Sequence, residues 1–167
     1  KRTDLRVIDA TAGLGRDSFV LADLGCNVTL CERNPLIASL LESGLQSARS
    51  AGDPWLVDVC SRMRLFPGPA QDVDAAAEVI YLDPMFPQRI KSAAVKKDMA
   101  LFQLLLEDDA DDGESLLQWA LARDVARVVV KRPPRAPELG GVAPSHSISG
   151  KAVRYDVHVR RSLQIKL

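Results

Sequence analysis

A glycine pair that follows a strand-end aspartate narrows the fold of this chain more than any other feature. The segment Val7-Ile8-Asp9-Ala10-Thr11-Ala12-Gly13-Leu14-Gly15-Arg16-Asp17 links an apolar run, Leu5 to Ile8, to a stretch where Phe19, Val20 and Leu24 recur on a helical period. That order reads as strand, tight loop, helix. Glycines let the backbone approach a ligand closely, and a helix N-terminus offers unpaired N–H groups. A second strand, Asn27 to Cys31, ends in Glu32. An acid at that distance is where a Rossmann-like unit grips a ribose. The loop therefore predicts a nucleoside-bearing cofactor.

What the loop lacks selects among such cofactors. A dinucleotide fingerprint wants G-x-G-x-x-G, and Ser18 stands at the third glycine position. Asp9 instead puts a carboxylate before the glycines. This suits S-adenosylmethionine, which has no pyrophosphate to cradle but carries an ammonium and a sulfonium. A carboxylate at the end of the first strand can hold the ammonium directly or through water.

A second motif, Asp83-Pro84-Met85-Phe86, sits where the apolar run Val79-Ile80-Tyr81-Leu82 stops. Asp-Pro after a strand is often a plain turn. The same residues also suit methylation of an exocyclic amino group on a flat base. The Asp83 carboxylate and the Pro84 carbonyl can accept the two amine hydrogens, and the Phe86 ring can stack on the base.

Strands are predicted at 5–9, 27–32, 63–67, 78–82, 125–131 and 153–160, with a weaker one at 142–148. Helices are predicted at 16–24, 35–49, 95–106 and 114–122, and the connection from Ala51 to Arg62 has room for a helical turn. Alternating strands and helices predict a Rossmann-like, doubly wound, mostly parallel α/β sheet of seven strands. Two closing strands without a helix between them predict an antiparallel hairpin at the C-terminal end. With 167 residues, 47% of them apolar, the expectation is a single domain over 1–167. The chain opens at Lys1 without methionine and enters its first strand almost at once, so a preceding N-terminal region is expected.

No apolar stretch approaches the roughly 20 residues that span a bilayer. Cys26, Cys31 and Cys60 have no CxxC spacing and no neighbouring histidine, so reduced thiols, a cytoplasmic location and no metal are expected. The formal net charge is zero, but basic residues gather at Arg89 to Lys97, Arg123 to Arg135 and Lys151 to Arg161. The first two groups fall at or just after predicted strand ends, the rim where an open α/β sheet binds ligands. Lys91, Lys96, Lys97, Lys131 and Arg132 are the candidates for RNA phosphate contacts. His146 and His158 lie in no ligand or triad pattern, and neither is given a role.

The segments DATAGLGRDSF, CERNP, YLDPMFP, KSAAVKKDM, VVVKRP and GKAVRYDV resemble the bacterial ribosomal RNA small subunit methyltransferase J family over nearly the whole chain. KSAAVKKDM beside DPMFP is the most specific of these. The resemblance implies an S-adenosylmethionine-dependent enzyme that modifies N2 of a guanosine near the 3′ end of 16S rRNA, with the small ribosomal subunit or its RNA as partner. It also implies cofactor contacts from Arg16, Asp17, Glu32, Arg33 and Asp83, and from two residues in the loop after the third strand. Those two are Pro69 and Ala70, where the family has small hydroxyl residues. The departure leaves backbone contacts at that loop, with Gln71 or Asp72 to take over the polar role.

Three other readings share parts of the pattern. A nicotinamide dehydrogenase would need a third glycine or a catalytic acid in a second domain. An amino-methyltransferase for another RNA, DNA or small molecule shares the cofactor half. A non-catalytic RNA-binding module would keep the basic rim and show no cofactor affinity.

Overall fold

A computed structural model describes residues 4–84 and 113–163 of the chain. Seven strands form one sheet in the order β3-β2-β1-β4-β5-β7-β6. They are β1 (Arg6–Asp9), β2 (Asn27–Cys31), β3 (Met63–Phe66), β4 (Val79–Leu82), β5 (Arg127–Arg132), β6 (His146–Ser149) and β7 (Arg154–Val159). The helices are α1 (Arg16–Asp23), α2 (Pro35–Arg49), α3 (Pro54–Ser61) and α4 (Gly113–Ala122). The first five strands pair in parallel, and β7 runs antiparallel to both β5 and β6. The mostly parallel sheet with a closing hairpin is thus the one the sequence predicts.

Alternation along the strands feeds two cores. Ile8, Ile80, Leu82, Val128 and Val130 pack with Leu116, Leu117 and Ala120 of α4 on one face. Val7, Val28, Leu30 and Tyr81 pack on the other with Ala22 of α1, Leu41 and Leu45 of α2, and Val59 of α3. Burying apolar surface on both faces of the sheet drives this arrangement.

The edge strand β6 is exposed along its length, so apolar burial contributes little to holding it. An ionic clasp does more. Arg154 forks onto Asp156 at 2.8 Å through both Nε and Nη2, and the Ser147 hydroxyl donates to the same carboxylate at 2.6 Å. Ser147 and Asp156 are register partners, so the clasp pins the hairpin.

Most boundaries lie within two residues of the sequence expectation, and two regions differ by more. The connection after Ala51 holds a full helix, α3, because the Asp53 carboxylate accepts from the N–H groups of Trp55 and Leu56, and Pro54 opens the helix. The weak strand expected at 142–148 begins at His146, after a short 3₁₀ turn over Leu139–Gly141. The helix expected at 95–106 lies outside the described residues. Among those residues, no helix is long and apolar enough to cross a membrane.

The chain runs outward from β1 through β2 to β3, then returns to place β4 on the other side of β1. In the sheet β2 follows on one side of β1 and β5 on the other side of β4, so the strand order reverses between the adjacent ends of β1 and β4. In an open α/β sheet, that switch point is where ligands bind.

Candidate active site

At the switch point the loop after β1 is organised from beneath by Asp9. This carboxylate is 1% exposed, and it accepts from the Thr11 N–H at 3.1 Å and from the Ser18 hydroxyl at 2.5 Å. The first bond is an Asx turn; the second ties α1 to β1. Burial pushes the Asp9 carboxyl up to about 6, against the lowering effect of both hydrogen bonds. Asp9 therefore shapes the loop from below. Its expected direct grip on a ligand ammonium is not the role this burial gives it.

The glycines serve different needs. Gly13 and Gly15 both have positive φ, 53° and 74°. At Gly13 an added Cβ would meet nothing within 4 Å, so the backbone there borders open space. At Gly15 it would stand 3.0 Å from Leu41 and 3.3 Å from Leu30, so packing as well as conformation requires glycine.

Glu32 spans the loop and the next helix. It accepts from the Gly13 N–H at 2.9 Å and from the Asn34 N–H at 2.8 Å, while the Asn34 side chain caps α2. Each carboxylate oxygen can accept more than one donor, so this geometry is compatible with a diol beside the loop. Arg16 and Arg33 are exposed. In the loop after β3, Pro69 is exposed and Ala70 is buried at the start of a 3₁₀ turn, Ala70–Asp72. Neither side chain brings a hydrogen-bonding group; Gln71 and Asp72 are exposed beside them.

From β4 comes Asp83, whose backbone N–H donates to the Thr11 hydroxyl at 2.7 Å and so fastens the two strand ends together. The Lys131 ammonium from β5 donates to Asp83 Oδ2 at 2.9 Å and to Asp17 Oδ2 at 2.7 Å. The Tyr81 hydroxyl donates to the same Asp17 oxygen at 2.5 Å. Burial works to raise the Asp17 carboxyl, but the bonds from Lys131 and Tyr81 outweigh it and hold it below the usual range. For Asp83 burial wins, and its carboxyl lies above the usual range although Lys131 pulls it down. Lys131 itself is held above its ordinary value, since its two carboxylates outweigh its desolvation.

Beyond Asp83 the Pro84 ring is buried. A Cβ added to Gly113 at the start of α4 would lie 3.0 Å from Pro84 Cβ. Phe86, Lys91, Lys96 and Lys97 lie outside the described residues.

The two basic residues at the end of β5 part company. Alternation turns Lys131 toward the carboxylates on the α1 face and Arg132 to the opposite face. Arg132 is 3% exposed, and its guanidinium donates to the Pro137 carbonyl. A buried guanidinium held by a backbone oxygen is not offered to solvent, which corrects the expectation of a phosphate contact there. Lys131 is committed to two acids instead of an RNA backbone. Tyr81, Thr11 and Ser18 are site residues that the sequence reading missed. Tyr81 was findable, because it precedes Asp83 by two and so shares its side of β4.

Four carboxylates and one lysine near a glycine loop favour a cationic ligand. Asp17 in the first turn of α1 would repel a pyrophosphate, whereas an ammonium or sulfonium is stabilised there. The open space at Gly13, Glu32 against the loop and the acids Asp17 and Asp83 together fit S-adenosylmethionine. A thiol nucleophile does not fit. Cys31 is 2% exposed, and burial together with the nearby charges of Asp9 and Glu32 pushes it up to about 12.

Comparison with known proteins agrees with this geometry. A family model described as putative SAM-dependent methyltransferase matches residues 1–160. A relative from Pseudomonas paraeruginosa named ribosomal RNA small subunit methyltransferase J is 55% identical over 163 residues, 95% of this chain and 61% of the relative. One of the same name from Ectopseudomonas mendocina is 52% identical over 164 residues, 95% of this chain and 62% of the relative. The chain thus spans about three fifths of the length of these curated relatives. A solved SAM-dependent methyltransferase from Neisseria gonorrhoeae superposes with a TM-score of 0.72 at 36% identity, covering 93% of this chain and 65% of its own.

Proposed function

The chain belongs to the family of putative S-adenosylmethionine-dependent methyltransferases, and from that premise we propose that it methylates the exocyclic N2 of a guanosine near the 3′ end of 16S rRNA. The observation that carries the reading is the hydrogen bond from the Asp83 N–H to Thr11. It holds Asp83, the first residue of the motif suited to an amine, beside the loop suited to the cofactor. The names of the relatives at 50% identity and above point to small-subunit rRNA as the substrate. N2 of guanine follows from the family resemblance of DPMFP and KSAAVKKDM.

When bound, the cofactor supplies a methyl group activated by a positively charged sulfur. The chain's own part is orientation. The guanine N2 lone pair is delocalised into the ring and is a weak nucleophile. Asp83 and the Pro84 carbonyl accept the two amine hydrogens, which favours a pyramidal nitrogen with its lone pair aimed at the methyl carbon. As that methyl group is transferred, the surplus amine proton would leave toward Asp83 or water. Phe86 stacks on the extruded base. Glu32, Arg33 and the Pro69–Ala70 backbone hold the nucleoside end of the cofactor, and Arg16 and Asp17 hold its amino acid end. Residues 1–167 act in this reading as one methyltransferase domain in the cytoplasm, with the small subunit or its RNA as partner. Lys91, Lys96 and Lys97 contact phosphates at the entrance.

The test is methyl transfer from labelled cofactor to small subunits that lack the modification, followed by nucleoside analysis. N2-methylguanosine is the expected product. Label on another nucleoside, or none, would refute the assigned substrate.

A further inference from the structure

Lys131 is the residue whose placement asks most of any account of this site. It reaches the switch point from β5, and its single ammonium bridges an acid of α1 and an acid at the end of β4. We propose that Lys131 is a positioning residue of methyl transfer: it couples Asp17, on the cofactor side, to Asp83, on the side of the target amine. The inference rests on the methyltransferase reading and adds to it a residue that governs the order of events.

The geometry supports a hand-over. Lys131 and Tyr81 both bond Asp17 through Oδ2. A ligand ammonium arriving at Asp17 competes with Lys131 for that carboxylate. Two cations crowded on one acid repel each other, and the flexible lysine has Asp83 already within reach. Cofactor binding would thus shift Lys131 toward Asp83. There the full positive charge keeps the carboxylate ionised and fixed in direction, which an acceptor for amine hydrogens requires. Before the cofactor arrives, Asp83 shares the lysine and is less well prepared.

The charged groups around Asp83 can be named. Among the described residues they are Lys131 of β5, Asp17 of α1 and, beneath the loop, Asp9 of β1, with the Tyr81 hydroxyl of β4 facing Asp17. Only Lys131 is positive. Its removal leaves Asp83 partly buried beside like charge.

The experiment titrates the Asp83 carboxyl by carbon-13 NMR in the intact protein, for the parent, Lys131→Met and Lys131→Arg. It is paired with S-adenosylhomocysteine affinity and with the pH profile of transfer to small subunits. In Lys131→Met the Asp83 titration should move up by about 1–3 pH units, the usual effect of losing an adjacent opposite charge. The acid limb of the transfer rate should follow it. Lys131→Arg should keep both close to the parent, and the methionine variant should bind S-adenosylhomocysteine no more weakly than the parent. A lysine that only braced the fold would instead lower the melting temperature and cofactor affinity together. That outcome, or an Asp83 titration unmoved in Lys131→Met, overturns the proposal. A parent protein that transfers no methyl group to subunits refutes the substrate reading, while the titration and the affinity still decide the role of Lys131.

Discussion

Asp9 shows how a single side chain can trade stability for arrangement. In an unfolded chain its carboxyl titrates near 3.8; in the fold it is raised to about 6. Between those values the folded state holds a proton that the unfolded state has released. Its contribution to stability is therefore complete below the lower value and is lost as pH rises through the upper one. Two pH units correspond to about 3 kcal/mol. Asp9→Asn keeps an acceptor for the Thr11 N–H and can pair with Ser18 through its amide. The variant should match the parent in urea denaturation at pH 4 and exceed it by up to about 3 kcal/mol at pH 7. Parallel stability curves across that range would show that the buried carboxylate carries no such penalty. The sequence revealed that Asp9 mattered, because a strand-end acid before two glycines is visible as spacing. It did not reveal that Ser18 would satisfy that acid. A serine in a helix's first turn looks like any exposed polar residue until the packing of α1 on β1 is known.

At the level of elements, the strands and helices were legible wherever periodicity was strong, as in β1, α1, β2 and α2. The helix α3 was under-read because Gly52-Asp53-Pro54 also reads as a loop. The Asp53-Pro54 start signal was nonetheless in view. Pairings between elements were less visible than the elements themselves. The contact of Pro84 with Gly113 joins the end of β4 to the start of α4, and no local pattern encodes it. Gly113→Ala would force a methyl to 3.0 Å from Pro84 Cβ, tighter than ordinary packing tolerates. The added carbon should displace Pro84 and its carbonyl, and the transfer rate should fall roughly tenfold or more, since misplacement of about 1 Å can cost 100-fold. Cofactor affinity should stay near the parent, because Asp17 and Glu32 lie on other elements. Stopped-flow transfer and calorimetry on the same variant check both halves. A parent-like rate would mean that the two elements adjust without moving the motif.

For the molecule as a whole, all three cysteines are buried, one on the α4 side of the sheet and two on the other. Thiol-specific reagents should modify Cys26, Cys31 and Cys60 slowly in the native protein at pH 8. All three should become reactive within one urea transition, followed by mass spectrometry. Early modification of one thiol would reveal a part of the sheet that opens on its own. The fold class was readable from the order of strands and helices, whereas the acid–lysine bridge was not. Its members come from three elements and meet only through sheet order. That separation along the chain also has a temporal side. Asp83 meets Thr11 across 72 residues, and Lys131 meets Asp17 across 114. A ribosome making this protein delivers the glycine loop well before the lysine. Until β5 has been synthesised and added beside β4, the nascent chain can carry a cofactor loop but cannot close the bridge over it. The bridge between Asp17 and Asp83 is thus completed only once β5 has emerged.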